Sequence, residues 1–202
     1  MKYTIAIELN GVVRNINKQI LKYYQKDIDR SLDLDEIDEK DDPFKYAKFD
    51  SKKERNEFIY IDYPFELFGA AKPMEENLPT KMNNFLTDLT NYEENEIEVV
   101  FFSMEEEALS IQSSYFFLSK IGTRVRKVFF PKELEEVDKQ SDIVVTANKD
   151  TFNGLSKDKF KILIKNKVNE DLENDANLAY DSLSGMLEDP DILKKITFEK
   201  KN

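Results

Sequence analysis

The sequence has no cysteine and no histidine. Without cysteine there is no disulfide framework and no thiolate metal site. Without histidine there is no Ser-His-Asp triad, no imidazole proton shuttle and no His-ligated metal. Any chemistry has to run on carboxylates, lysines, hydroxyls or backbone amides. Tryptophan is also absent, and 5 glycines in 202 residues leave little room for glycine-rich phosphate loops. No apolar run is long enough to cross a bilayer, and Met1-Lys2-Tyr3 enters a strand-like run without a cationic-then-apolar signal. The expectation is a protein that is not secreted and has no membrane partner.

What is present suffices for a core. Hydrophobic residues make up 40% and aromatics 12% of the chain, which excludes wholesale disorder. The length suits one domain, or a core domain with an insertion. The 41 acids exceed the 30 bases, for a net charge of -11. A chain this acidic repels phosphate backbones, which argues against generic nucleic-acid binding.

Tyr3 to Leu9 reads as a strand meeting a turn at Asn10-Gly11, and Ile16 to Tyr24 as a helix. From Asp27 to about Glu57 the composition shifts to charge. The stretch DLDEIDEKDD holds two isolated apolar residues and reads as an exposed loop or insertion. Its acids (Asp33, Asp35, Glu36, Asp38, Glu39, Asp41, Asp42) lack the glycine and terminal Glu of an EF-hand and read as solvated. Tyr60, Tyr63, Phe65 and Phe68 suit either internal packing or a protein–protein interface.

Residues 81–89 predict a helix, and Ile97 to Phe102 a buried strand ending in Ser103. Met104, Ala108, Ile111, Tyr115 and Leu118 recur as the apolar face of a helix closed by Gly122. Ser103 and Glu106 have the spacing of a capping box. A strand over 125–130 precedes Pro131, which opens a short helix to about Lys139. Strands over 143–145 and 160–164 follow. Leu172, Ala176, Ala179, Leu183, Met186 and Leu187 then form the face of a final helix. Short apolar strands alternating with helices predict a three-layer, Rossmann-like α/β domain around a parallel sheet. Residues 1–26 and 81–202 form that core, with 27–80 inserted.

In such a sheet ligands bind at the carboxyl ends of the strands. At those ends IAIELNGVV, VVFFS and SDIVVTAN follow one another in an order that resembles the haloacid dehalogenase (HAD) superfamily, most of all its 5'-nucleotidase branch. The resemblance covers nearly the whole chain and makes 27–80 a cap. It implies a nucleophilic Asp and an acid/base Asp after the first strand, a phosphate-binding Ser or Thr after the second, a Lys, and magnesium-binding Asp residues after the fourth. Here the nucleophile position is Glu8 and the acid/base position Asn10, with Gly11 next. Thr146, Ala147 and Asn148 stand where the metal-binding carboxylates belong. Asp142 lies at the far end of that strand. Ser103 is kept, and Lys132 or Lys127 fits the Lys role, so any phosphate contact falls to Ser103, Lys132 and Gly11.

Glu is one methylene longer than Asp, which displaces its oxygen by about 1.5 Å. A misplacement of about 1 Å costs roughly 100-fold in rate. Asn cannot donate and recover a proton, and magnesium wants oxygen ligands, usually including carboxylates, in near-octahedral geometry. The expectation is a fold kept with its catalysis lost: no catalytic residue, no metal and no cofactor. Such a chain serves as a structural or protein-binding component. The AT-rich residue usage and the segments ELFGAAKP and YFFLSK resemble phage nucleotidase-like proteins. That implies other proteins as partners, in a homo-oligomer or a virion or tail assembly, and a cytoplasmic or virion-associated location. Two alternatives stand beside it. One is a magnesium-dependent nucleotidase acting on deoxynucleoside monophosphates. The other is an anion or nucleotide sensor that binds through Ser103 without turnover.

Overall fold

In the computed structural model, which describes residues 2–38, 41–91, 96–105 and 107–198, the β-branched and aromatic runs become parallel strands. They are β1 (Lys2–Glu8), β2 (Glu96–Phe102), β3 (Lys127–Phe129), β4 (Ile143–Thr146), β5 (Phe160–Ile164) and β6 (Leu178–Tyr180). Their order across the sheet is β3-β2-β1-β4-β5-β6. Ile5 of the central strand pairs with Val99 on one side and Ile143 on the other. The chain runs outward from β1 to β3 and then returns to β4. The order reverses between β1 and β4, and a ligand crevice in such a sheet opens at the carboxyl ends there.

The helices are α1 (Ile16–Asp27), α2 (Lys52–Glu57), α3 (Leu78–Asn91), α4 (Ala108–Ile121), α5 (Leu134–Gln140), α6 (Lys149–Gly154), α7 (Leu183–Leu187) and α8 (Ile192–Phe198). Successive strand residues face opposite sides. Ile5, Ile7 and Phe101 pack under α3, α4 and α7, against Met82, Phe85, Phe117 and Met186. Ala6, Val100, Phe102 and Val144 pack on the other face, against Val137 of α5 and Leu155 beyond α6. This is the predicted three-layer α/β sandwich.

Four local expectations change. The single final helix is instead a 3-10 turn at Glu170–Asp175, then β6, then α7. Leu178 and Ala179 pair with Ile162 and Leu163, so the free edge of β5 overrides a spacing that also suited a helix. The third strand is only Lys127–Phe129. The helix after Pro131 starts three residues later, at Leu134. The helix expected from Met104 starts at Ala108, and its buried residues are Ser110, Ser113, Ser114 and Phe117, whereas Tyr115 is exposed. Gly122 does close it, in the left-handed conformation at φ 67°.

The charged segment is not a bare loop. Short 3-10 turns at Leu34–Glu36 and Pro43–Lys45 start on the side chains of Asp33 and Asp42. Consecutive π-helical turns follow α2, at Phe58–Asp62 and Phe65–Gly69. Ile16, Ile20, Leu21 and Tyr24 of α1 join Ala47, Phe58, Ile59, Leu67 and Phe68 in a second core, with Leu34 and Ile37 packed on it. The two apolar residues inside the acidic stretch thus anchor it. Lys167, in the loop after β5, binds Asp38 and Asp41 at 3.0 and 3.5 Å. Of the remaining acids, Glu39 lies outside the described residues. The loop before α1 and the chain after the second π-helical turn meet at an isolated bridge between Arg14 and Pro73: Asn15 N donates to Lys72 O, and Met74 N to Val13 O.

Candidate functional site

Glu8 ends β1 and Thr146 ends β4, so the reversal point of the sheet brings them together. By alternation Glu8 shares its face with Ala6, toward α6. The Thr146 hydroxyl donates to Glu8 Oε2, and Thr151 Oγ1 of α6 donates to Oε1 at 3.2 Å. Glu8 is buried, and that burial pushes its carboxyl from the ordinary 4.5 up to about 7 despite both hydroxyl donors. The two threonine hydroxyls thus satisfy both oxygens of this strand-end carboxyl. Asn148 caps α6 through its own side chain, accepting from Asp150 N and Thr151 N. The Ala147 carbonyl accepts from Asn166 and Asn169.

Asn10 turns the other way. After Leu9 the chain folds into a tight loop in which Val13 N and Arg14 N both donate to Leu9 O. Gly11 permits it, with φ at 78° and Ala147 close alongside. The loop drops Arg14 into the interior, where it is 0% exposed. Its guanidinium donates from Nε and Nη2 to Asn10 Oδ1, at 3.0 and 2.5 Å. Nη2 also meets Glu105 Oε1 at 2.5 Å, while Nη1 donates to Ser114 Oγ at 2.6 Å and the Phe68 carbonyl at 3.1 Å. The rings of Phe68 and Phe117 lie against it at 5.0 and 5.4 Å. Burial lowers the Arg14 pKa and the Glu105 carboxylate opposes that.

Ser103 closes the network. Its hydroxyl donates to Glu105 Oε1 at 2.5 Å and accepts from Asn10 Nδ2 at 3.1 Å. Ser114 Oγ donates to Glu105 Oε2 at 2.7 Å. Ser103 is therefore not a helix cap: the residue before α4 is Glu107, and Glu106 lies outside the described residues.

The predicted residues therefore fall into separate places. Asn10 and Ser103 meet each other, and Glu8 and Thr146 meet each other. Lys127 starts β3 and pairs with Glu98 at 2.7 Å. Lys132 is exposed in the β3–α5 loop. Asp142, at the opposite end of β4, accepts from Thr4 N. Among the described residues no three acidic side chains come together in a way that holds a metal ion, and no helix is long and apolar enough to cross a membrane.

Arg14, Glu105, Ser114 and Thr151 were not anticipated. One signal for Arg14 was available: it is a lone cation in the run VVRNI. A second was the cluster of small residues at Ser110, Ser113 and Ser114 in an otherwise bulky helix, which makes room for a buried side chain.

No protein-family model matches the chain, and no curated protein sequence does. Among solved structures, the β-phosphoglucomutase from Clostridium difficile is similar over 100% of both chains, with a TM-score of 0.57 and 17% sequence identity. At that identity the likeness concerns the fold. The chain has the three-layer, Rossmann-like α/β fold with a parallel sheet that the HAD resemblance implies.

Proposed function

We propose that the chain is a HAD-fold protein without phosphoryl-transfer activity that works as a structural or protein-binding component. One observation carries this: the polar groups at the strand ends are bound to one another. The Ser103 hydroxyl proton goes to Glu105, and both Asn10 side-chain atoms are engaged. Glu8 is buried with its carboxyl held near 7, so much of it is protonated at neutral pH and a poor nucleophile or metal ligand. Magnesium plays no part in this reading.

An apolar surface supports protein binding. Phe65 of the second π-helical turn and Phe116 of α4 are each 48% exposed, with ring centroids 5.1 Å apart. Ile61, Leu109 and Tyr115 are also large and exposed. The ELFGAAKP and YFFLSK segments adjoin here, since Lys120 Nζ donates to the carbonyls of Gly69 and Ala71. Their resemblance to phage proteins supports assembly into a virion or tail as the finer form of the proposal.

The test is phosphate release from nucleoside monophosphates and an aryl phosphate with magnesium. The wild type runs beside Glu8→Ala and the double change Glu8→Asp, Asn10→Asp. The expected result is no release above the Glu8→Ala background. The double change stays silent as well, because Arg14 and Glu105 remain paired and Thr146 and Ala147 supply no carboxylate. Metal-dependent release by the wild type that Glu8→Ala abolishes overturns the proposal in favour of a nucleotidase.

A further inference from the structure

We propose that Arg14, Ser103 and Ser114 form an oxyanion-binding pocket whose resident ligand is the chain's own Glu105 carboxylate. The inference rests on the reading that this end of the sheet carries out no phosphoryl transfer, and it names what occupies it. Three donors from separate parts of the fold converge on one carboxylate: Arg14 from the loop after β1, Ser103 from the end of β2 and Ser114 from α4. Oε1 takes Arg14 Nη2 and Ser103 Oγ, both at 2.5 Å, and Oε2 takes Ser114 Oγ at 2.7 Å. Both charged side chains are 0% exposed. A guanidinium with two hydroxyls, walled by the Phe68 and Phe117 rings, selects a small anion with two or more oxygens and excludes neutral ligands.

The tether makes the occupant hard to displace. Glu105 N donates to Ser103 O at 2.9 Å, a tight turn that returns the carboxylate over Ser103. An intramolecular ligand competes at an effective concentration of about millimolar or more, so free oxyanions lose to it. Removing the carboxylate reverses that competition. Glu105→Ala deletes the γ-methylene and the carboxylate, the same heavy atoms as acetate. It leaves a buried cation and two hydroxyls without their acceptor.

The experiment is thermal unfolding of the full-length chain in sodium acetate, formate or phosphate, each matched in ionic strength with sodium chloride. Glu105→Ala is expected to melt below the wild type. Acetate then raises its Tm saturably, by roughly 3–6 °C at tenfold over Kd. The wild type shifts no more in acetate than in chloride, and Arg14→Met combined with Glu105→Ala loses the response. Equal melting of Glu105→Ala in all three oxyanions and in chloride overturns the inference, as does a saturable acetate response of the wild type. If Glu105→Ala does not fold in chloride, refolding it in acetate decides the same question. Recovery of folded chain supports the pocket, and failure in every oxyanion overturns it. Metal-dependent phosphate release by the wild type is a separate readout: it overturns the proposed function, whereas the acetate series alone decides who occupies the pocket.

Discussion

Replacing Arg14 by Met lowers the free energy of unfolding by about 3–5 kcal/mol, as loss of one partner of a buried ion pair does. Met matches much of the side chain's length, so the cost is mainly electrostatic. The Glu105 carboxylate stays buried with only the two serine hydroxyls, and Asn10 Oδ1 and the Phe68 carbonyl lose their donors. The pair itself is not a large source of net stability, because desolvating two charges offsets most of their attraction. Adding Glu105→Leu to Arg14→Met therefore recovers most of the loss. Urea unfolding of the two single variants and the double variant measures the coupling. A loss below about 1 kcal/mol for Arg14→Met, the value of an exposed pair, means that the guanidinium is solvated and the network is not what holds the strand ends.

Glu8 has the opposite sign. Its folded-state pKa is raised from 4.5 to about 7, chiefly by burial. The unfolded chain therefore gives up this proton first as pH rises, while the folded chain keeps it. The stabilisation is fully present below about pH 4.5, is lost as pH rises through 7, and does not change further above that. A rise from 4.5 to about 7 corresponds to on the order of 3 kcal/mol. Glu8→Gln carries no titratable group there and keeps the shape. It is expected to flatten the fall in stability between pH 5 and 7 and to be the more stable chain at pH 8. Chemical unfolding of both chains across that range tests this, and parallel pH profiles mean that Glu8 ionises in water. The carboxylates of this -11 chain repel one another more as pH rises, but that term is shared by both chains and cancels in the difference.

Most of the sheet could be read before the structure, because a buried parallel strand writes its burial on both faces into a continuous apolar run. IEVVFF and IVVT carry that signal, and both are strands. The edges could not be read in the same way. Leu178–Tyr180 is a strand because β5 offers an unpaired edge, a fact of the tertiary fold rather than of local spacing. The apolar face assigned to α4 failed for a related reason. Periodicity assumes that the buried side is the greasy one, whereas Ser110, Ser113 and Ser114 turn inward here, and Ser114 meets a buried arginine. The charged segment was legible as a change of composition but not as a packed unit. Leu34 and Ile37 look stray among acids until α1 and the π-helical turns supply their partners.

The site was legible in part. Glu8, Asn10, Ser103 and Thr146 all stand at strand ends, where an apolar run stops at a polar residue. Their grouping was not legible, because strand alternation sends Glu8 toward α6 while the loop turns Asn10 toward β2. The decisive pair, Arg14 and Glu105, is separated by 91 residues, and no local pattern links the two.

Whether the strand ends are free to take a ligand is read most directly by thermal unfolding of the unaltered chain with magnesium and a nucleoside monophosphate, separately and together. No saturable rise in Tm above a salt control is predicted, since Glu8, Asn10 and Ser103 are already bound within the chain. A saturable, magnesium-dependent rise that disappears in Glu8→Ala would contradict it and show an open, metal-binding site at the end of β1.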